Sequence, residues 1–163
     1  MKRVHIVGRK NSGKTTLIVE LAAYLTQRGL RIGTIKHTHH RHELDTPGKD
    51  SHRHRLAGAN TVAVLSPELI AVYRRSDVVG DDRYTALAAA FADCNLVLVE
   101  GDLAAKAPKV EVWRHAVQEA PYANTVDGIA AVITDDPIEG SSRVWPRHPI
   151  AQLAELILSL THT

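Results

Sequence analysis

The chain has 163 residues, 44% of them hydrophobic and 23% charged. That is enough for one domain with a sizeable core, and it excludes a disordered or fibrous chain. A net charge of +2 excludes a polycation built to coat nucleic acid, and a single cysteine, Cys94, excludes an internal disulfide or a cysteine-built zinc site.

In chain order, residues 2–8 read as a short buried strand ending at Gly8, and residues 14–28 as a helix. Leu17, Leu21, Tyr24 and Leu25 share one face of that helix, and Gly29 stops it. A second strand spans 31–37, so the first 37 residues predict a βαβ unit with a parallel strand pair. Residues 38–48 are polar and contain Pro47-Gly48, which predicts a loop. A short polar helix follows over 49–58. Residues 61–66 and 69–74 flank Pro67 as a hairpin or two neighbouring strands. An Ala-rich helix is expected over 82–93, then a strand covered on both faces at 95–99. A half-exposed strand is expected at 109–113, a buried strand at 129–133, and a closing amphipathic helix at 149–160 with Pro149 near its start. No run approaches the ~18–20 apolar residues of a membrane span, and the apolar run near the start is too short for a signal peptide. A soluble cytoplasmic protein with no membrane or nucleic-acid partner is expected.

The sharpest signal is Gly8-Arg9-Lys10-Asn11-Ser12-Gly13-Lys14-Thr15, which matches G-x-x-x-x-G-K-[ST] between a strand and a helix. Glycines let the backbone turn so that several N–H groups converge on phosphate oxygens, and the helix N-terminus adds partial positive charge. Lys14 reaches the β and γ phosphates, and the Thr15 hydroxyl ligates Mg²⁺. Gly8, Lys10, Asn11, Ser12, Gly13, Lys14, Thr15 and Thr16 are the nucleotide-binding candidates. The expected fold is α/β, of the P-loop NTPase type. Its sheet is mostly parallel and flanked by helices, with an added β-hairpin, in one nucleotide-binding domain over 1–163.

A candidate second anchor is Glu100, the acid that ends the apolar run Leu96–Val99, placed to ligate the metal, hold it through water or orient the attacking water; an acid that merely ends a strand at the surface is the alternative reading. In such sheets ligands gather outside the carboxyl ends of the strands. Asp135, in Thr134-Asp135-Asp136 after the strand at 129–133, is placed to accept from the ring N–H and amine of guanine; a plain surface turn is the alternative reading. The chain lacks Asn-Lys-x-Asp.

Residues 28–55 concentrate positive charge, seven Lys/Arg against three acids, and six of the ten histidines lie between His37 and His54. His37, His39, His40, His42, His52 and His54 alternate with Lys36, Arg41, Lys49, Arg53 and Arg55. Three readings stand: hydrogen-bond donors to an anion, a solvated loop, or a divalent-metal site.

Four segments make the chain resemble the MobB family of molybdopterin-guanine dinucleotide biosynthesis proteins. They are GRKNSGKTTL (8–17), GTIKHTHHRHELDTPGKDSHRHRLAGA (33–59), LVLVEG (96–101) and PKVEVWR (108–114). The second is the most specific, with KHxHH followed by D-x-PGKDS-x-RHRxAGA. The resemblance implies a homodimeric GTP-binding protein with weak GTPase activity. Such a protein assists a MobA-type guanylyltransferase that joins GMP to molybdopterin, with possible contact to molybdopterin itself. It also implies that Lys14, Glu100 and Asp45 serve catalysis and that Thr15, Glu100 and Asp45 surround Mg²⁺. Lys36, His37, Lys49, Asp50, Arg53 and Lys109, with His39 and His40, would meet an anionic ligand or the partner. This sequence departs from the family in following Glu100-Gly101 with Asp102-Leu103 rather than Phe-Lys, and in placing Lys10 inside the loop.

Hydrolysis by such a site proceeds by water attack on the γ-phosphorus with electrostatic stabilisation. Arg41, Arg53 or a residue across a dimer interface are the arginine-finger candidates. Without one, turnover is on the order of 10⁻³–10⁻² s⁻¹. Two other functions are compatible with the residues: a metallochaperone-type GTPase using the histidines, and a small-molecule kinase. The apolar hairpin TVAVLSPELIAVY is either a pairing surface for a second copy or an ordinary core hairpin.

Overall fold

A computed structural model describes residues 1–40, 43–138 and 143–161. The chain divides into two compact units: Met1–Thr38 with Tyr84–Thr163, and His39–Arg83, which is inserted between them.

The first unit is built on a parallel sheet. Its strands are β1 (Arg3–Val7), β2 (Ile32–Lys36), β5 (Leu96–Glu100), β6 (Lys109–Val112), β7 (Ile129–Ile133) and β8 (Val144–Trp145). Their order is β2-β5-β1-β6-β7-β8, and every pairing is parallel. The expected βαβ unit is present, but β1 and β2 are not neighbours: β5 lies between them. Alternation along the strands sorts side chains to the two faces. Val4, Ile6, Leu96, Leu98, Val110, Val112, Ala131 and Ile133 join one large core with helices α1 (Lys14–Gln27) and α4 (Ile150–Ser159). Val97 and Val99 face the other way and pack with Tyr84, Phe91 and Cys94.

Helix α1 forms because Leu17, Leu21 and Leu25 recur every fourth residue, with Ile18 beside them, and all four are buried. It ends where expected. Gly29 sits at φ 82°, its N–H donates to the Thr26 carbonyl, and the Leu30 N–H donates to Leu25. That is a Schellman cap, which needs a residue tolerant of the left-handed region. Helix α4 buries Leu153, Ala154 and Ile157 and starts after Pro149. The Ala-rich helix is shorter than its pattern: α3 covers Asp82–Leu87 and gives way to a 3-10 turn over Ala88–Phe91.

Two expectations change. The strand at 109–113 is buried throughout rather than half-exposed. β6 lies between β1 and β7, and the alternate residue Glu111 is completely buried because its carboxylate receives the Tyr122 and Ala123 N–H groups at 2.8 and 2.9 Å. Burial pushes the Glu111 carboxyl up, against those two amides. The second change is β8, two residues long, which carries no readable periodicity.

The second unit holds α2 (Asp50–Leu56) and the antiparallel hairpin of β3 (Thr61–Leu65) and β4 (Ile70–Arg74). Its turn is closed by Ser66, whose N–H and hydroxyl donate to Leu69 while its oxygen accepts the Leu69 N–H at 2.9 Å. Helix α2 buries no residue, and the only buried residue of the hairpin strands is Val62. No described helix is long and apolar enough to cross a membrane.

Candidate functional site

The phosphate loop sits where β1 ends and α1 begins. Its path demands unusual backbone: Gly8 at φ 141°, Asn11 at 63° and Gly13 at 98°. A Cβ on Gly8 would run into the Val112 carbonyl oxygen, and one on Gly13 into the Arg114 guanidinium. Gly8 is therefore required twice, by conformation and by close approach to backbone, and Gly13 by its left-handed conformation, since the guanidinium tip can swing aside. Lys14 arches over the loop and donates to the Gly8 and Arg9 carbonyls at 2.8 and 2.6 Å. Burial lowers its ammonium below the ordinary value, opposed by the attraction of Glu100 and helped by repulsion from Lys36.

The acid at the end of the apolar strand reaches this loop. Glu100 is the last residue of β5 and is 8% exposed. The Thr15 hydroxyl lies 3.0 Å from both of its carboxylate oxygens, and Lys36, the last residue of β2, forms an ion pair with it. The three strands β2, β5 and β1 thus deliver Lys36, Glu100 and the loop to one edge of the sheet. His5 steadies that edge. Buried in β1, it donates from Nδ1 to the Gly101 carbonyl at 3.1 Å. Asp102 accepts from the Tyr84 hydroxyl at 2.7 Å. Burial raises its carboxyl, and that hydrogen bond with the nearby histidines outweighs it, leaving the group below its usual value. Asp102 thus serves as a local tie just after Glu100-Gly101.

Lys10, Asn11, Gly13, Lys14, Thr15, Thr16, Lys36, Glu100 and Arg114 line a cleft of about 480 Å³. Thr15 and Glu100 offer it hard oxygen donors about one metal-ligand shell apart, which fits Mg²⁺ bound through one or two protein oxygens with phosphates and water. Among the described residues no group of three or more His, Cys, Asp or Glu side chains is placed to hold a metal unaided.

Arg114, at the end of β6, is a residue that sequence reasoning missed. Its Nε donates to the Ser12 carbonyl at 3.1 Å, which lays the guanidinium over the loop. The only sequence signal was its position, an arginine closing a buried strand on the loop's side of the sheet. It also lines a neighbouring cleft of about 360 Å³, with Ser12, Trp113, Thr134, Asp135, Asp136, Arg147 and His148 among its walls. Asp135 is there, as expected of a base-contacting residue, but its carboxylate is engaged. Oδ1 accepts from the Arg147 and His148 N–H groups at 2.7 and 3.3 Å, and Oδ2 lies 2.6 Å from His148 Nδ1. Burial pushes this carboxyl up, and the hydrogen bonds from His148 and the two amides outweigh it, so it lies below its usual value.

Other candidates are placed elsewhere. Lys109 is buried at the start of β6, the opposite end of the strand from the phosphate loop, beside Gly128. The structure does not bring it to the cleft, because the strand runs its length between them. Asp45, His39, His40, Lys49, Asp50 and Arg53 belong to the second unit, and His37 follows β2 in the first. Asp45 is 7% exposed, accepts from the Thr46 N–H and the Ser51 hydroxyl through Oδ1, and donates its own N–H to Glu43. Its Oδ2 is buried without a partner among the described residues and borders a cavity of about 600 Å³ between α2 and the hairpin. His52 accepts from the Gly48 N–H at Nδ1, so its Nε2 carries the proton facing Glu43 at 3.3 Å. Lys49 precedes α2 with its side chain in solvent, and Arg53 and Asp50 form a loose exposed pair at 3.9 Å. Arg41 and His42 lie outside the described residues.

Comparison with known proteins identifies the family. Residues 3–135 match the family model described as molybdopterin guanine dinucleotide synthesis protein B, MobB. The molybdopterin-guanine dinucleotide biosynthesis adapter protein of Haemophilus influenzae is 32% identical over 96% of this chain and 88% of its own. The Escherichia coli protein of the same name is 31% identical over 90% and 86%. Among solved structures, Bacillus subtilis MobB superposes with a TM-score of 0.74 at 27% identity, covering 99% of this chain and 98% of that one. The homologue from Bacillus stearothermophilus gives 0.70 at 29% identity over 98% and 99%. On sequence over most of its length and on fold over nearly all of it, this chain belongs to the MobB family.

Proposed function

We propose that this protein binds GTP with Mg²⁺ at the phosphate loop, hydrolyses it slowly, and acts as an adapter in synthesis of molybdopterin guanine dinucleotide. The observation that carries the reading is the meeting of Lys14, Thr15 and Glu100 at the carboxyl end of β1 and β5, beside a loop whose Gly8, Asn11 and Gly13 take positive φ. Lys14 and the Gly8–Gly13 backbone hold the phosphates. Mg²⁺, when bound, would supply charge neutralisation at the phosphates. Thr15 and Glu100 would hold it, and Lys36 pairs with the Glu100 carboxylate beside the phosphate cleft. Arg114 spans the loop and the neighbouring cleft, where the base rests against Thr134, Asp135 and Asp136.

The cellular role follows the relatives' name, molybdopterin-guanine dinucleotide biosynthesis adapter protein, and the proposal adds a MobA-type guanylyltransferase as the partner and the cytoplasm as the place. Asp45, Lys49, Asp50, Arg53, His37, His39 and His40 supply contacts to the anionic ligand, the metal side or the partner. A homodimer through the hairpin is part of this reading, since Leu65, Leu69, Ile70 and Val72 are each more than half exposed on it. Ile70→Asp should turn a dimer into a monomer in sedimentation while leaving nucleotide affinity within about twofold.

A single-turnover assay tests the chemistry. GTP should be hydrolysed at about 10⁻³–10⁻² s⁻¹ in the presence of Mg²⁺ and far more slowly with EDTA or in Glu100→Ala. Tens of turnovers per second without a partner, or hydrolysis indifferent to Mg²⁺, would contradict the reading.

A further inference from the structure

Two residues lining the cleft beside the phosphate loop carry a buried polar atom with no hydrogen-bond partner among the described residues, Ser12 at Oγ and Arg147 at Nη1, and only the second is a group that donates without accepting. Arg147 follows β8, and its side chain is 14% exposed. Nη2 is tied to Glu20 of α1 at 2.7 Å, whereas Nη1 is buried and has no hydrogen-bond partner among the described residues. A buried N–H group without an acceptor costs about 1–3 kcal/mol, so a chain tolerates one where a ligand completes it. The cleft it borders measures about 360 Å³, within the roughly 300–1,000 Å³ of small-ligand sites.

We infer that Arg147 is the residue that distinguishes guanine from adenine, by donating from Nη1 to the purine 6-oxo group; this rests on the nucleotide-binding reading above. The chemistry is one-sided. Guanidinium nitrogens only donate, and guanine presents an acceptor at position 6 where adenine presents an amine donor. Adenine would leave two donors facing one another and Nη1 unsatisfied.

The surrounding contacts serve that placement. Glu20 pairs with the guanidinium through Nη2, so Arg147 is not an unpaired charge, and Nη1 is the donor left over. Asp135 holds the Arg147 and His148 amides and the His148 ring, which occupies its carboxylate and fixes the backbone from which Arg147 projects. Asp135 is therefore a positioning residue, and its side chain is spent on the turn instead of on the base. Arg114 connects this cleft with the phosphate cleft, so one nucleotide reaches both.

The test is competition binding of GTP, ITP, XTP and ATP to the full chain with Mg²⁺. Inosine keeps the 6-oxo group and lacks the 2-amine. ITP should bind within about threefold of GTP, and ATP at least about tenfold more weakly. Arg147→Gln should bring GTP and ITP down to the ATP value while ATP stays within about twofold, which also reports that the variant is folded. Asp135→Asn should not move preference to XTP. The inference is overturned if Arg147→Gln keeps the GTP-to-ATP ratio, if Asp135→Asn favours XTP, or if wild-type protein binds ITP tenfold worse than GTP. The wild-type ITP result stands even if a variant fails to fold. Absence of binding by all four nucleotides would instead remove the nucleotide-binding reading itself.

Discussion

The two units of this chain solve the problem of burial differently. In the first, a six-stranded sheet carries helices on a continuous core, and Val4, Ile6, Leu17, Leu21, Leu25, Leu96 and Leu98 are all fully buried. In the second, a seven-residue helix and a two-stranded hairpin leave most apolar side chains exposed. A lone hairpin is marginal in water, and three or more strands or a covering helix are normally needed. The contrast separates a well-packed sheet unit that carries the phosphate loop from a small unit that leaves large apolar side chains exposed.

Matched substitutions should make that contrast measurable. Leu21→Ala removes a fully buried side chain and should cost about 2–5 kcal/mol in denaturant unfolding. Leu65→Ala, at 74% exposure, should stay within about 0.5 kcal/mol for the monomer. Equal costs at the two positions would break the distinction.

A smaller effect isolates backbone from packing in the first unit. Nothing lies within 4 Å of a Cβ built on Gly29, so Gly29→Ala meets only the left-handed backbone penalty, about 1–2 kcal/mol. A neutral result in thermal unfolding would mean that the helix cap is not held as described.

The smallest effect belongs to the second unit. The Asp45 amide, helped by the Arg55 guanidinium, holds the Glu43 carboxyl down to about 2. A depressed carboxylate stabilises the fold above its unfolded value near 4.5, and that contribution is lost as the pH falls from there towards 2. Glu43→Gln should therefore flatten the acid limb of the stability curve and leave the curve near neutrality shifted but parallel. An unchanged acid limb would show that these contacts do not hold in solution.

What was legible in the sequence follows the same division. The phosphate loop could be read residue by residue because strand, glycines, Lys14 and helix are contiguous and each has a local physical requirement. Glu100 was legible through the apolar run before it. Arg114 and Arg147 were not, because their roles arise from strand order: β6, β7 and β8 bring them beside Ser12 and Glu20 across long separations. Asp135 borders a cleft beside the phosphate loop, yet its engagement with the 147–148 amides depends on a two-residue strand that no periodicity reveals. The half-exposed reading of β6 failed for a similar reason, since Glu111 looks like a surface acid until the 121–124 turn caps itself on it.

Calorimetric titration of GTP with Mg²⁺ into the wild-type chain and Lys14→Ala tests the central claim most directly. The account predicts saturable one-to-one binding in the wild type and a loss of about 10–100-fold in the variant, the equivalent of the ~1.5–3 kcal/mol carried by a charge-assisted contact. Undiminished affinity in Lys14→Ala, or no triphosphate binding to the wild type, would contradict it.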